Sequence, residues 1–150
     1  MLVEIQALVS PTSFGNPRRM AIGLDANRTT LLMAVLEKRV GLQLLGDDVF
    51  VSVAGGLEVA EPAADLGVAA AVASSFRNRP LPPRTVVFGE VGLGGEVRSC
   101  GQAALRVREA VQMGFTRCIL PARNVPEDVE GIQLVGVSTL EEALEKLEAE

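Results

Sequence analysis

From Ala63 to Phe76 the chain reads A-A-D-L-G-V-A-A-A-V-A-S-S-F, a run of small side chains that leaves few folding options. Pro62 suits a first helical turn, and Asp65 one turn on favours the positive end of the dipole, so a helix is expected over Ala63 to Phe76. Such a helix has little bulk to bury. Its small side chains let it pack close to a sheet. With the strand and helix patterns along the rest of the chain, the expected class is α/β (α+β).

Sheet patterns flank this helix on both sides. Residues 3–9, V-E-I-Q-A-L-V, alternate as a strand does, and a loop with Pro11, Gly15 and Pro17 follows, ending in Arg18-Arg19. Met20 to Leu24 is expected to return antiparallel to the first strand as a long hairpin. Asp25 can cap a helix carrying Leu31, Leu32, Val35 and Leu36, with Gly41 as its stop. Asp48 to Ala54 places Val49, Val51 and Val53 on one face, and Gly55-Gly56 breaks it. After the small-residue helix, Arg77 to Arg84 is a Pro- and Arg-rich loop. Thr85 to Val91 is a strand, Gly92 to Gly95 a hairpin turn, and Glu96 to Ser99 the return. A helix over Gln102 to Met113 buries Ala103, Val107, Ala110 and Val111. Strands follow at Arg117 to Leu120 and Ile132 to Val137. Thr139 and Glu142 make a capping box for a last helix with Leu140, Ala143, Leu144 and Leu147 inward, so the segment Glu130 to Glu150 is expected to be packed.

Composition bounds what this framework can do. The chain of 150 residues is 48% hydrophobic, enough for one domain with a core, and no apolar run approaches a membrane span. The opening M-L-V-E-I-Q-A-L-V-S lacks a basic n-region, so it is not read as a signal peptide. There is no His, which excludes a Ser-His pair, and Cys100 and Cys118 are too few for a zinc cluster. A disulfide between them is possible in principle; two inert thiols in a reducing cytoplasm is the expected state. G-L-G-G is a turn without the spacing of a phosphate loop. Glu90 with Glu96, and Asp47 with Asp48, are the carboxylate pairs on paper. For Glu90 and Glu96 the commoner roles are a bond to backbone or Arg and a solvated side chain; Asp47-Asp48 reads as a loop. The net charge of −5 is uneven: residues 127–150 carry −7 and residues 1–126 carry +2. Of the 14 basic residues 12 are Arg, which suits forked contacts to phosphate and to carboxylate alike.

The order from Glu61 to Pro121 (E-P-A-A-D, Ala-rich helix, strand pair F-G-E-V-G-L-G-G-E-V, second helix, strand Cys118 to Leu120) resembles the proteolytic domain of the Lon protease family. Within it, the closest likeness is to the Lon-like domain at the C-terminus of the RadA (Sms) family of bacterial DNA repair proteins. The resemblance implies a Lon-proteolytic-domain-like fold, akin to ribosomal protein S5 domain 2, with a mixed sheet and about four helices. In the Lon proteases a nucleophilic Ser sits in a G-P-S-A-G turn and a Lys lies 43 residues later. Here Ala63 stands at the Ser position and Arg106 at the Lys position. Ala63 offers no nucleophile, and Arg106 does not deprotonate in proteins, so a Ser–Lys mechanism has neither part.

The resemblance further implies a single domain over residues 1–150, read as a piece of a longer protein whose zinc-finger and RecA-like ATPase parts lie upstream. ATP, Mg and Zn are expected only there. A hexameric ring is implied, working in recombinational repair on double-stranded or branched DNA. Arg18, Arg19, Arg28 and Arg117 are the leading candidates for phosphate contact, with Arg77, Arg79 and Arg84 in reserve. Arg18 and Arg19 are chosen for their exposed loop and Arg117 for its place where a loop enters a strand. Arg28 falls in a first helical turn, where the dipole disfavours a cation, so it should have a carboxylate or a phosphate as partner. Arg106 is expected to pair with Asp65 or Glu61. With five Phe as the only aromatics there is no stacking platform, which points to backbone rather than base contact. A scaffold whose Arg residues contact neighbouring subunits is the competing expectation, and a residual peptidase the third.

Overall fold

The computed structural model describes residues 1–13 and 15–148. Phe14, in the first loop, and the last two residues of the acidic segment lie outside the described residues. Twelve elements follow in order: β1 Ile5–Pro11, β2 Arg19–Ile22, α1 Ala26–Val35, β3 Asp47–Val53, α2 Asp65–Arg77, β4 Thr85–Val87, β5 Glu90–Val91, β6 Val97–Arg98, α3 Ala103–Gln112, β7 Arg117–Pro121, β8 Gln133–Val137 and α4 Leu140–Glu148. The class is mixed α/β with four α-helices, as the sequence predicts. The strands form a mixed sheet in the order β1-β3-β2, a parallel sheet in the order β4-β7-β8, and the ribbon β5-β6.

The small-residue helix sits at the centre. Leu66, Val68, Ala69, Ala70 and Val72 of α2 are buried in one core with Val49 and Val51 of β3, Leu32 and Leu36 of the first helical segment, and Leu140 and Leu144 of α4. Ala69, Ala70 and Ala73 are among its buried positions, and side chains of this size let α2 pack close to its neighbours. A smaller cluster, Ala63, Phe88, Val107, Cys118 and Leu120, joins the start of α2 to α3 and β7.

Several local expectations hold. Asp25 caps α1 by accepting from the N–H groups of Asn27 and Arg28 at 2.8 and 3.2 Å. The helix ends in a π-turn, Leu36–Val40, and Gly41 follows in the left-handed region at φ 88°. Thr139 Oγ1 accepts from Glu142 N at 3.1 Å, while Glu142 Oε1 accepts from Ser138 N at 2.8 Å. Leu140, Ala143, Leu144 and Leu147 are the buried residues of α4.

Four expectations are corrected. β1 and β2 are not a hairpin: β3 lies between them, antiparallel to β1 and parallel to β2. The alternating valines of β3 are buried almost completely, which a central strand provides and an edge strand does not. The strand expected over Thr85 to Val91 is two strands with different partners. It breaks at Phe88-Gly89, because Gly89 N–H and C=O turn to α2, bonding Ala63 O at 2.9 Å and Leu66 N at 3.0 Å. A Cβ at Gly89 would lie 2.8 Å from Val97 Cγ1, so the break needs Gly there. Finally, Asp47 and Asp48 belong to β3 rather than a loop, and Arg77 closes α2 rather than opening the loop after it.

Candidate functional site

Pro62 opens a 3-10 turn, Pro62–Ala64, that runs directly into α2. The turn is fastened by the two hydrogen bonds to Gly89, which leaves Ala63 buried at the start of the helix. Arg106 projects from α3, which packs on the same cluster through Val107 and Ala103. Its guanidinium carbon lies 5.7 Å from the centroid of Phe88. Nε donates to Gly101 O at 2.9 Å, and Nη1 and Nη2 reach the two carboxylate oxygens of Glu61 at 3.5 and 3.3 Å. Ala63 and Arg106 both line one cavity of about 600 Å³, together with Glu61, Phe88 and Cys118. The 43-residue spacing in the sequence is thus a shared wall in space.

What this cavity can do is set by its side chains. The Ala63 methyl carries no reactive atom. Arg106 is a permanent cation in bidentate contact with Glu61. Cys118 is the one thiol on the wall, and burial pushes it up to about 12, so at neutral pH it is protonated and inert. Cys100, packed at the edge of the same cluster, is also raised, mainly by burial. Both cysteines are free thiols. Among the described residues no group of three or more His, Cys, Asp or Glu is placed to hold a metal ion. No helix among them is long and apolar enough to cross a membrane.

Of the two partners expected for Arg106, Glu61 is the one it takes. Asp65 is turned the other way, into the α1 side of the core, and pairs with Arg28. Arg28 Nε donates to Asp65 Oδ1 at 3.0 Å, and Nη2 makes a second, closer bond to Oδ2. Asp65 Oδ2 also accepts from Val91 N at 3.0 Å, and Glu90 stands 3.8 Å from Arg28. The hydrogen bond to Asp65 is the largest reason the Arg28 pKa is raised, against an opposing effect of burial. The dipole mismatch read from the sequence therefore has a carboxylate for an answer. Glu90 and Glu96 do not form a pair: Glu96 is held by Arg98 Nε and Nη2 at 3.0 and 2.8 Å.

The remaining candidate arginines fall into two places. Arg18 and Arg19 enter β2. The Arg18 side chain is 73% exposed; it touches Asp48 at 3.3 Å and lies over Phe50 at 5.6 Å. Arg19 turns inward and donates through Nη2 to Leu44 O at 2.7 Å. Arg77, Arg79, Arg84 and Arg117 gather at the opposite end of the molecule's second sheet. Arg84 O accepts from Arg117 N, Arg117 Nη2 donates to Lys146 O at 2.9 Å, and Glu148 takes Arg77 at 3.0 Å and Arg79 at 4.0 Å. Arg79 and Arg84 are exposed, and Arg84 sits at φ 56°, which turns it out of the chain's course. Sequence reasoning missed two features. Phe88 is the shelf under Arg106, and Asp48 is a buried anchor that accepts from Arg18 N at 2.7 Å and Thr12 Oγ1 at 2.9 Å. An Asp at the head of an apolar alternating strand was the available signal for the second.

A mixed sheet carrying a small-residue helix, with a turn at its N-terminus facing a cation on the next helix, is the arrangement of a Lon-type proteolytic domain. Residues 43–148 match the Lon protease (S16) C-terminal proteolytic domain, and the chain belongs to that family. The chain is also similar to proteins called DNA repair protein RadA. It is 55% identical over 97% of its length to the one from Halalkalibacterium halodurans, and 55% identical over 96% to the one from Bacillus subtilis. It is 52% identical over 96% to the one from Escherichia coli. In each case it spans 32% of the relative's length.

Proposed function

We propose that this domain cleaves no peptide bonds and serves as a ring-forming scaffold in a RadA-type DNA repair and recombination ATPase, where it also holds duplex or branched DNA through arginines. The observation that carries the reading is the cavity shared by Ala63 and Arg106. Both positions line that one cavity, and in this reading the places of the attacking atom and the proton acceptor hold a methyl group and a guanidinium bonded to Glu61. ATP, Mg and Zn belong in this reading to upstream parts of the longer protein, and the upstream ATPase domain is a partner of this one. The setting is the cytoplasm, with no membrane contact.

DNA contact is supported by the Arg77, Arg79, Arg84 and Arg117 edge, where two guanidiniums are exposed and the others are braced by backbone or Glu148. Arg18 adds exposed charge on the first sheet. Arg19 and Arg28, bonded within the chain, contribute field rather than contact. Each copy offers few phosphate contacts and binds weakly; a ring of copies raises the effective affinity without new contacts.

The test pairs duplex DNA binding at low and moderate salt with the mass of the assembly. Arg79→Ala/Arg84→Ala should weaken binding and leave the mass unchanged. Unchanged binding would remove this edge from the reading. For Arg18→Ala, lost binding at unchanged mass keeps Arg18 among the DNA contacts, and a lower mass assigns it to a subunit contact, as its place against an apolar sheet face allows. The second reading, a scaffold without direct DNA contact, prevails if Arg79→Ala/Arg84→Ala also binds unchanged. Cleavage of casein that survives purification would support a peptidase; none is expected.

A further inference from the structure

The mixed sheet is covered on one side only. Val49, Val51 and Val53 face the core, and a one-sided sheet ordinarily gives its other face to polar residues. Here that outer face carries Leu8, Phe50, Met20 and Ile22 beside Gln6, Ser10 and Ser52. The register sets Leu8, Phe50 and Met20 in a single row across all three strands. Leu8, Met20 and Ile22 are 58, 51 and 56% exposed. Arg18 sits at the margin of the row, its guanidinium over Phe50. Scattered exposed apolar side chains are ordinary; an in-register row with a cation at its rim is a contact surface.

The same chain presents a second surface that matches it. Leu105 and Met113, at the two ends of α3, are 59 and 65% exposed, and Glu109 lies midway between them on the same helix face. The ridge from 105 to 113 is about 12 Å long. The row across three strands is about 10 Å wide. A helix ridge with an acid between two apolar groups is complementary to an apolar row with Arg18 beside it. Glu109 Oε1 accepts from the Met1 ammonium at 2.7 Å, while Oε2 accepts no hydrogen bond among the described residues and is the atom left to a guanidinium.

We propose that the outer face of β1-β3-β2 in one copy receives the α3 ridge of a second copy, with Arg18 meeting the partner's Glu109. The two surfaces are different, so the contact is head-to-tail, the kind that propagates and closes into a ring. The proposal rests on the ring reading above and says which surfaces make it.

The experiment is crosslinking of the 150-residue chain with Met20→Cys and Met113→Cys, singly and together, read beside the solution mass of the unmodified chain. Both sites are exposed, and thermal melts check that each variant folds. The double variant alone should give a ladder of multimers on oxidation, and Met20→Glu should lower the mass to that of a single chain. A dimer from Met20→Cys alone would overturn the proposal, since the sheet face would then pair with itself. No crosslink from an assembly of normal mass would also overturn it, leaving the ring reading in place. A single-chain mass for the unmodified protein at high concentration would end both. Loss of DNA binding in Met20→Glu at unchanged mass would assign this face to nucleic acid instead.

Discussion

Asp65 holds three donors at once: both forks of Arg28 and the N–H of Val91. It is almost fully buried, whereas the Arg28 side chain is 38% exposed. Replacing Asp65 by Ala strands Val91 N and leaves Arg28 to turn toward water. That exposure puts the cost below the usual range for a broken buried pair, at roughly 2–3 kcal/mol, read as a lower urea midpoint. A midpoint equal to the parent's would show the pair to be idle. Asp48 gives a pH-dependent counterpart. The Arg18 N–H, foremost, holds its carboxyl below the ordinary value of 3.8 against the opposing effect of burial, with Thr12 and the Arg18 side chain adding to the shift. A depressed carboxyl stabilises the fold above its unfolded pKa, and that contribution disappears as pH falls through the folded pKa. Stability should therefore drop as pH falls below about 4, and Asp48→Asn should flatten that drop. Parallel curves for the two proteins would assign the acid sensitivity elsewhere.

Among elements, α4 is the one most visible in the sequence. Its four inward residues and its Thr139–Glu142 box are all in place, since both signals are local. Thr139→Ala should cost about 1 kcal/mol. In a domain of this size that is a melting shift of about 2–4 °C. The Asp25 cap and the β3 alternation were legible for the same reason. What was hidden is pairing. Nothing local in Met20 to Leu24 says that its neighbour is β3 rather than β1, because a strand's pattern fixes its faces and leaves its edges open. The break at Gly89 was hidden likewise: only the approach of Ala63 and Leu66, far earlier in sequence, turns those peptide groups away from the strand. At the site, the helix dipole showed that Arg28 needed a partner but could not choose Asp65. The choice of Glu61 for Arg106 also came from packing.

For the whole molecule, the charge distribution gives a quantitative expectation. If Arg79 and Arg84 each neutralise a phosphate, their joint removal should reduce the salt slope of duplex binding by about 2 per bound copy. An unchanged slope would mean that those arginines meet only water or protein. The Arg106 contacts limit what a single substitution can restore. A Lys at that position could not reproduce the fork that spans both Glu61 oxygens. On the proposed reading, Ala63→Ser alone would find no base and Arg106→Lys alone no hydroxyl, so neither variant should cleave casein.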